Sequence, residues 1–328
     1  MMKQLITEFP NNITEAIKIA ANSNFSQPKN EIRNVVICGM GGSGIGGSIV
    51  SKWLEDELSI PIYVSKDYSL PNFVNENSLV IGSSYSGDTE ETLSSVELAI
   101  KKGAHIIGIT SGGKMQRICN ENGFDVVIVP GGNPPRTALA YSLVQLINIF
   151  KCLGLIVPGR LKEMESGRDL IINEGETIHK EAMSLAQFLK GKVGIFYGTS
   201  EYESVLIRAR QQFNENSKLL CWQHAIPEMN HNELVGWGGG DDRFAVVFFD
   251  NDNIHPRNAK RIEITKAKIQ AITDQVHSIS SKGNTIIEKS LYLINLVDWA
   301  SYYLSELKPV DAMDIKVIDY LKSELAKF

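Results

Sequence analysis

What the sequence has little of narrows its class first. Cysteine is scarce: Cys38, Cys119, Cys152 and Cys221 are scattered, with no C-x-x-C pair and no Cys/His metal spacing. Neither a disulfide scaffold nor a zinc site is therefore written into the chain. No apolar run approaches the roughly 20 residues of a membrane span. The first residues, with Lys3, Glu8 and Pro10, lack the apolar stretch of a signal peptide. Basic charge is not in excess either. The 33 Lys and Arg stand against 38 Asp and Glu, a formal net charge of −5, which offers nucleic acid or an anionic membrane no broad positive surface. Reduced thiols and the missing leader and span lead us to expect a soluble, cytoplasmic protein that uses no metal and no cofactor.

What is present is a regular alternation. At 328 residues the chain has length for about two domains. Short apolar runs at Val35–Cys38, Ile62–Val64, Ser78–Ile81, His105–Ile109 and Val126–Val129 read as strands. Segments of helical period lie between them, notably 89–102 and 114–123, and this pattern predicts a parallel sheet with helices on both faces. A helix is expected at 13–22 and an apolar one at 137–153, and the glycines at 154 and 159 mark a boundary between domains 1–155 and 156–328. The second half repeats the plan. It has a helix over 169–189, a strand from Gly194 into the turn Thr199-Ser200, a helix over 202–213, a strand at 244–249, and helices at 257–271, 285–307 and 315–327. Two α/β halves of similar size suggest an internal duplication.

The chain is organised around its first strand, which runs into Gly39-Met40-Gly41-Gly42-Ser43-Gly44-Ile45-Gly46-Gly47. A buried strand feeding a glycine-rich turn at a helix N-terminus favours an anion, because the first helical N–H groups lack partners. The pattern also satisfies G-x-G-x-x-G, with Asp67 after the second strand as a ribose acid, so a nicotinamide-dependent oxidoreductase is one reading. A second loop weighs against it. The third strand ends in Ser83-Ser84-Tyr85-Ser86-Gly87-Asp88-Thr89, and in a sheet of order 2-1-3-4-5 the ends of strands one and three are neighbours at the ligand-binding switch point. Gly41, Gly42, Ser43, Ser84, Ser86 and Thr89 then face one crevice as neutral donors for a phosphate monoester. The dinucleotide reading leaves the second loop without a task.

The serine–threonine loop resembles the phosphate loop of the sugar isomerase (SIS) domain. The glycine loop, the segment from Ser84 to Thr92, Pro135-Arg136, Asn214-Glu215-Asn216-Ser217-Lys218 and Asn230-His231-Asn232-Glu233 together resemble the bifunctional phosphoglucose/phosphomannose isomerases over nearly the whole chain. The resemblance implies an α/β fold of two SIS domains, each a flavodoxin-like three-layer sandwich with its parallel sheet between helices. It also implies a homodimer that interconverts the hexose 6-phosphates glucose 6-phosphate and fructose 6-phosphate through a cis-enediol, a step of glycolysis and gluconeogenesis.

Aldose–ketose isomerisation needs a base that carries a proton between C2 and C1 and a group that opens the ring. The residues alone leave Glu215, Glu228 and Glu233 open for the first task; the resemblance puts it on Glu215. It assigns Arg136 to the developing enediolate, a role suited to a fixed guanidinium. Of His224 and His231, it assigns ring opening to His231, contributed across the dimer interface. It gives Lys322 a share in that step, with Lys316 and Lys308 as the other C-terminal lysines. One part of the likeness is missing. In the family, acceptance of mannose 6-phosphate is tied to a threonine shortly before this lysine, and residues 306–322 contain no Ser or Thr. A non-catalytic sugar-phosphate sensor would keep the phosphate loops but has no use for Glu215, Arg136 and His231 together.

Overall fold

The computed structural model describes all residues from Met1 to Phe328, in two compact units. One, the N-terminal unit, comprises residues 8–170 and 285–288; the other, the C-terminal unit, comprises 1–7, 171–284 and 289–328. The cut falls between Leu170 and Ile171, whereas the sequence places its boundary after residue 155.

In the N-terminal unit five parallel strands, β1 (Asn34–Cys38), β2 (Ile62–Ser65), β3 (Ser78–Ser83), β4 (His105–Thr110) and β5 (Asp125–Ile128), form a sheet of order β2-β1-β3-β4-β5. This is the expected doubly wound order. Strands β1, β3 and β4 are apolar and nearly wholly buried because helices cover both faces. Val36, Cys38, Val80 and Ile106 pack against α4 (Glu90–Lys101) and α5 (Gly113–Asn122). The opposite face meets α3 (Gly41–Trp53), which packs on α6 (Leu139–Cys152), and α6 packs on α2 (Phe9–Ala21). Two buried amides tie the last pair, Gln145 Nε2 to the Ala16 carbonyl (2.7 Å) and Asn148 Nδ2 to that of Ala20 (3.1 Å).

The C-terminal unit holds a four-stranded parallel sheet of order β7-β6-β8-β9, from β6 (Val193–Thr199), β7 (Cys221–Ile226), β8 (Phe244–Asp250) and β9 (Val276–Ser280). It repeats the first four places of the other sheet. Ile195, Tyr197, Val246 and Phe248 pack towards α11 (Pro256–Gln270). On the other face Phe196 stacks on Phe213 of α9 (Glu203–Ser217) at 5.3 Å, and His277 lies 5.2 Å from Phe188 of α8 (Gly175–Leu189). The remaining helices are α1 (Met2–Thr7), α7 (Arg160–Asn173), α10 (Glu233–Gly236), α12 (Ile286–Leu307) and α13 (Lys316–Leu325).

Several sequence expectations need correction. The helix expected over 169–189 is two helices that break at Glu174. The apolar helix begins at Leu139, after a 3₁₀ turn over Pro135–Thr137. Strands β7 and β9 are additional. The glycine run is no open turn leading to a helix at Ser48, because α3 starts at Gly41. Glycine disfavours helix in isolation, but here close packing requires it. A Cβ on Gly42 would stand 2.6 Å from the Pro135 carbonyl oxygen, and one on Gly46 would overlap the Ser142 hydroxyl of α6.

Candidate active site

In the N-terminal unit, β1 and β3 pair in register from Asn34↔Ser78 to Cys38↔Gly82, so both loops leave the sheet side by side. The Tyr85 amide donates to Ser43 Oγ (3.3 Å) and links them. Gly41 and Gly42 open α3, so their N–H groups have no intrahelical partner. Ser84 is only 1% exposed, and its hydroxyl works inside its own loop. It accepts from the Gly87 and Thr89 amides (3.1 and 3.4 Å) and donates to Thr89 Oγ1 (2.9 Å). Ser86 is exposed and takes the Asp88 amide (3.3 Å), and Thr89 stands just before α4 with part of its surface open. Gly42, Ser43, Tyr85, Pro135 and Tyr141 line a cavity at this junction. Arg136, 4% exposed, belongs to the turn that packs on Gly42. Burial pushes the Cys38 thiol, next to the glycine loop, up to about 12, so it is no nucleophile at neutral pH. The structure thus brings the loop of Gly41, Gly42 and Ser43 against the loop of Ser84, Ser86 and Thr89 and against the turn that carries Arg136, and of these residues Gly42 and Ser43 line the cavity.

In the C-terminal unit β6 and β8 hold the places of β1 and β3, and different residues stand at their ends. Strand β6 ends at Thr199 and runs into Ser200-Glu201, and β8 ends at Asp250 and runs into Asn251-Asp252. Asp250 is paired with Lys266 (2.5 Å) and Asp252 with Lys289.

Glu215 lies within α9, in its last turn, and does not follow a helix that stops at Phe213. It is half-buried. A buried polar seam fixes this end of α9 to α12: Arg208 to Asp298 (2.8 Å), Gln212 to Asp298 (2.7 Å), Asn216 to Ser301 Oγ (2.9 Å) and Ser217 to the Ser301 carbonyl (2.6 Å). Burial raises the Asp298 carboxyl against the opposing pull of Arg208 and Gln212. Lys218 Nζ bridges the Glu215 and Asp311 carbonyls (2.6 and 2.7 Å), and Lys308 donates to the Lys218 carbonyl (3.0 Å). Burial lowers the Lys308 ammonium. Lys322 is elsewhere, exposed on α13, which has no buried residue. Lys316, also exposed, opens that helix.

His231 is exposed in a 3₁₀ turn after β7. Asn214, beside Glu215, reaches Cys221 at the start of β7 (3.4 Å), whereas His231 follows its end. The two candidates thus sit at opposite ends of β7, separated by a six-residue strand, about 17 Å at its usual rise. Glu233 and His224, set aside by sequence, meet at 2.6 Å.

Residues 30–131 match the SIS domain family, and residues 178–325 match the bacterial phospho-glucose isomerase C-terminal SIS domain. The bifunctional phosphoglucose/phosphomannose isomerase of Caldicellulosiruptor bescii is 38% identical over 336 residues, 99% of each chain. The chain belongs to the bifunctional phosphoglucose/phosphomannose isomerase family. Another phosphoglucose/phosphomannose isomerase, from Aquifex aeolicus, is 36% identical over 90% of this chain and 91% of its own. A D-glucosamine-6-phosphate 4-epimerase of Sulfolobus acidocaldarius is 31% identical over 68% of this chain and 71% of its own. Among solved structures, the C-terminal domain of glucosamine-fructose-6-phosphate aminotransferase from Francisella tularensis matches with a TM-score of 0.78 at 17% identity, over 95% of this chain and 97% of that one. That likeness is one of fold: two SIS domains, each with a parallel sheet between helices. The dinucleotide reading of the glycine loop gives way to the phosphoglucose/phosphomannose isomerase family.

Proposed function

We propose that the protein is an aldose–ketose isomerase interconverting glucose 6-phosphate and fructose 6-phosphate, with mannose 6-phosphate as a further substrate. The observation that carries the reading is the hydroxyl- and amide-lined crevice at the ends of β1 and β3, in a chain of this family. Gly41 and Gly42 N–H groups and the Ser43, Ser86 and Thr89 hydroxyls take the phosphate oxygens, while Ser84 shapes the loop. His231, with Lys322, gives a proton to the ring oxygen as the C1 hydroxyl loses its own, and the ring opens. Glu215 then takes the C2 proton of the aldose and returns it to C1 of the cis-enediol, and Arg136 stabilises the negative charge that builds on the oxygens between these steps. The assigned chemistry asks for no metal or cofactor.

We read the active form as a homodimer working in the cytoplasm, in glycolysis or gluconeogenesis. Two observations support the dimer. Glu215 and His231 of one chain lie at opposite ends of β7, so a site using both draws them from two chains. Helix α13 also leaves Val317, Tyr320, Leu321 and Leu325 exposed at helical spacing, an apolar stripe suited to a second copy.

The test is conversion of fructose 6-phosphate to glucose 6-phosphate by the purified protein, with mannose 6-phosphate and glucosamine 6-phosphate run alongside. Glu215→Gln should abolish turnover while sugar-phosphate binding survives. Turnover per bound substrate that stays intact in this variant would remove Glu215 from its role. Binding without turnover by the unaltered protein would favour a sensor.

A further inference from the structure

In the C-terminal unit one carboxylate gathers donors from two strands. Glu233 Oε1 accepts from the Trp222 indole (2.9 Å) and the Tyr197 hydroxyl (2.5 Å), and Oε2 lies 2.6 Å from His224 Nδ1. The Tyr197 hydroxyl in turn accepts from the Trp237 indole (3.0 Å). Tyr197 stands on β6, Trp222 and His224 on β7, and Glu233 and Trp237 on the segment that leaves β7. The neighbouring residues are held as well. Met229 is fully buried, Asn230 reaches Thr265 of α11 (2.8 Å), and Asn232 donates to Glu228 (3.1 Å) while its side-chain oxygen Oδ1 accepts the Glu233 amide (2.6 Å). His231 is exposed on this pinned turn, two residues from the carboxylate.

Hydrogen bonds to an ionised acceptor are shorter and stronger than neutral ones. Gathering three of them on a single group fixes the exit angle of the segment far more tightly than one apolar contact could. A positioned acid–base group loses effectiveness when its support lets it drift by about 1 Å. We propose that Glu233 is a positioning residue for His231, setting where the ring-opening imidazole is presented. The proposal rests on the reading of His231 given above.

The experiment is a double-mutant cycle on turnover of glucose 6-phosphate with His231→Ala, Glu233→Gln and both together, accompanied by thermal melting. Glu233→Gln alone should lower kcat by about tenfold to a hundredfold. KM should hold, because the phosphate contacts lie on other residues. Added to His231→Ala, the substitution should cost nothing more. Trp222→Phe, which deletes one donor at a half-exposed position, should show the same non-additivity at smaller size and serves if Glu233→Gln melts early. A wild-type kcat in Glu233→Gln, or a double variant as slow as the two defects multiplied, overturns the proposal. A wild-type kcat in His231→Ala instead removes the reading of His231, and the proposal with it.

Discussion

Ser84 and Ser86 are two residues apart in one loop, yet the structure gives them different work. The Ser84 hydroxyl is spent on the Gly87 and Thr89 amides and on Thr89 Oγ1, whereas Ser86 remains open to solvent. Ser86→Ala should therefore weaken substrate by about 1.5 kcal/mol, roughly tenfold in KM, with kcat unchanged; inhibition by inorganic phosphate reports the same loss. An unchanged KM would move the phosphate off this loop. At this scale the sequence shows the hydroxyls, as Ser-x-Ser-Gly-x-Thr after a buried strand, although serines in such a place are often turn or cap residues. It did not distinguish the donor that faces outward from the one that braces the turn. Gly42 likewise has a packing task that the sequence did not show, because its missing Cβ makes room for the Pro135 carbonyl and so seats the Arg136 turn.

Among the elements, α9 carries Glu215 and owes its place to the seam with α12. Arg208 and Asp298 are both almost wholly buried. Removing Asp298 takes the carboxylate from a buried guanidinium, so Asp298→Leu should cost about 3–5 kcal/mol of stability in a urea titration. A second element-level prediction concerns His277, which burial against Phe188 holds below its ordinary pKa. A depressed folded value means that the unfolded chain binds the proton more readily. Stability should therefore hold above the unfolded value of about 6.5 and fall as the pH drops below it. His277→Asn should flatten that part of the profile; an unaltered slope between pH 7.5 and 5.5 would exclude His277 as a source. The sequence showed the central strands plainly, as apolar runs. It missed β7 and β9, which are edge strands with half-exposed residues such as Trp222, Gln223, His277 and Ser278, so no apolar run marks them. It also stopped α9 at Phe213. Arg208, Gln212 and Asn216 recur every four residues and look like a solvent face until α12 brings Asp298 and Ser301 to meet them.

For the whole molecule, the opposite placement of Glu215 and His231 gives the dimer a direct test. Equal amounts of Glu215→Gln and His231→Ala chains, the first inactive and the second strongly slowed alone, should regain about a quarter of wild-type turnover when unfolded and refolded together, if sites are shared across a two-fold axis. Half the dimers are then mixed, and each mixed dimer holds one intact site. No recovery would mean that one chain supplies both groups. The α/β alternation and two-domain plan were legible from strand spacing; the exposed stripe on α13 was not, because periodicity alone cannot say what covers a face.

The repeated strand order has a consequence for stoichiometry. Both sheets repeat one strand order, but the N-terminal one carries the glycine- and serine-rich loops at the ends of its first and third strands. In the other, Asp250 and Asp252 are already neutralised by Lys266 and Lys289, and Glu201 adds negative charge that a dianion would have to approach. A polypeptide with twin architectures should therefore seat a single phosphoryl group, and calorimetric titration should count one hexose phosphate per chain.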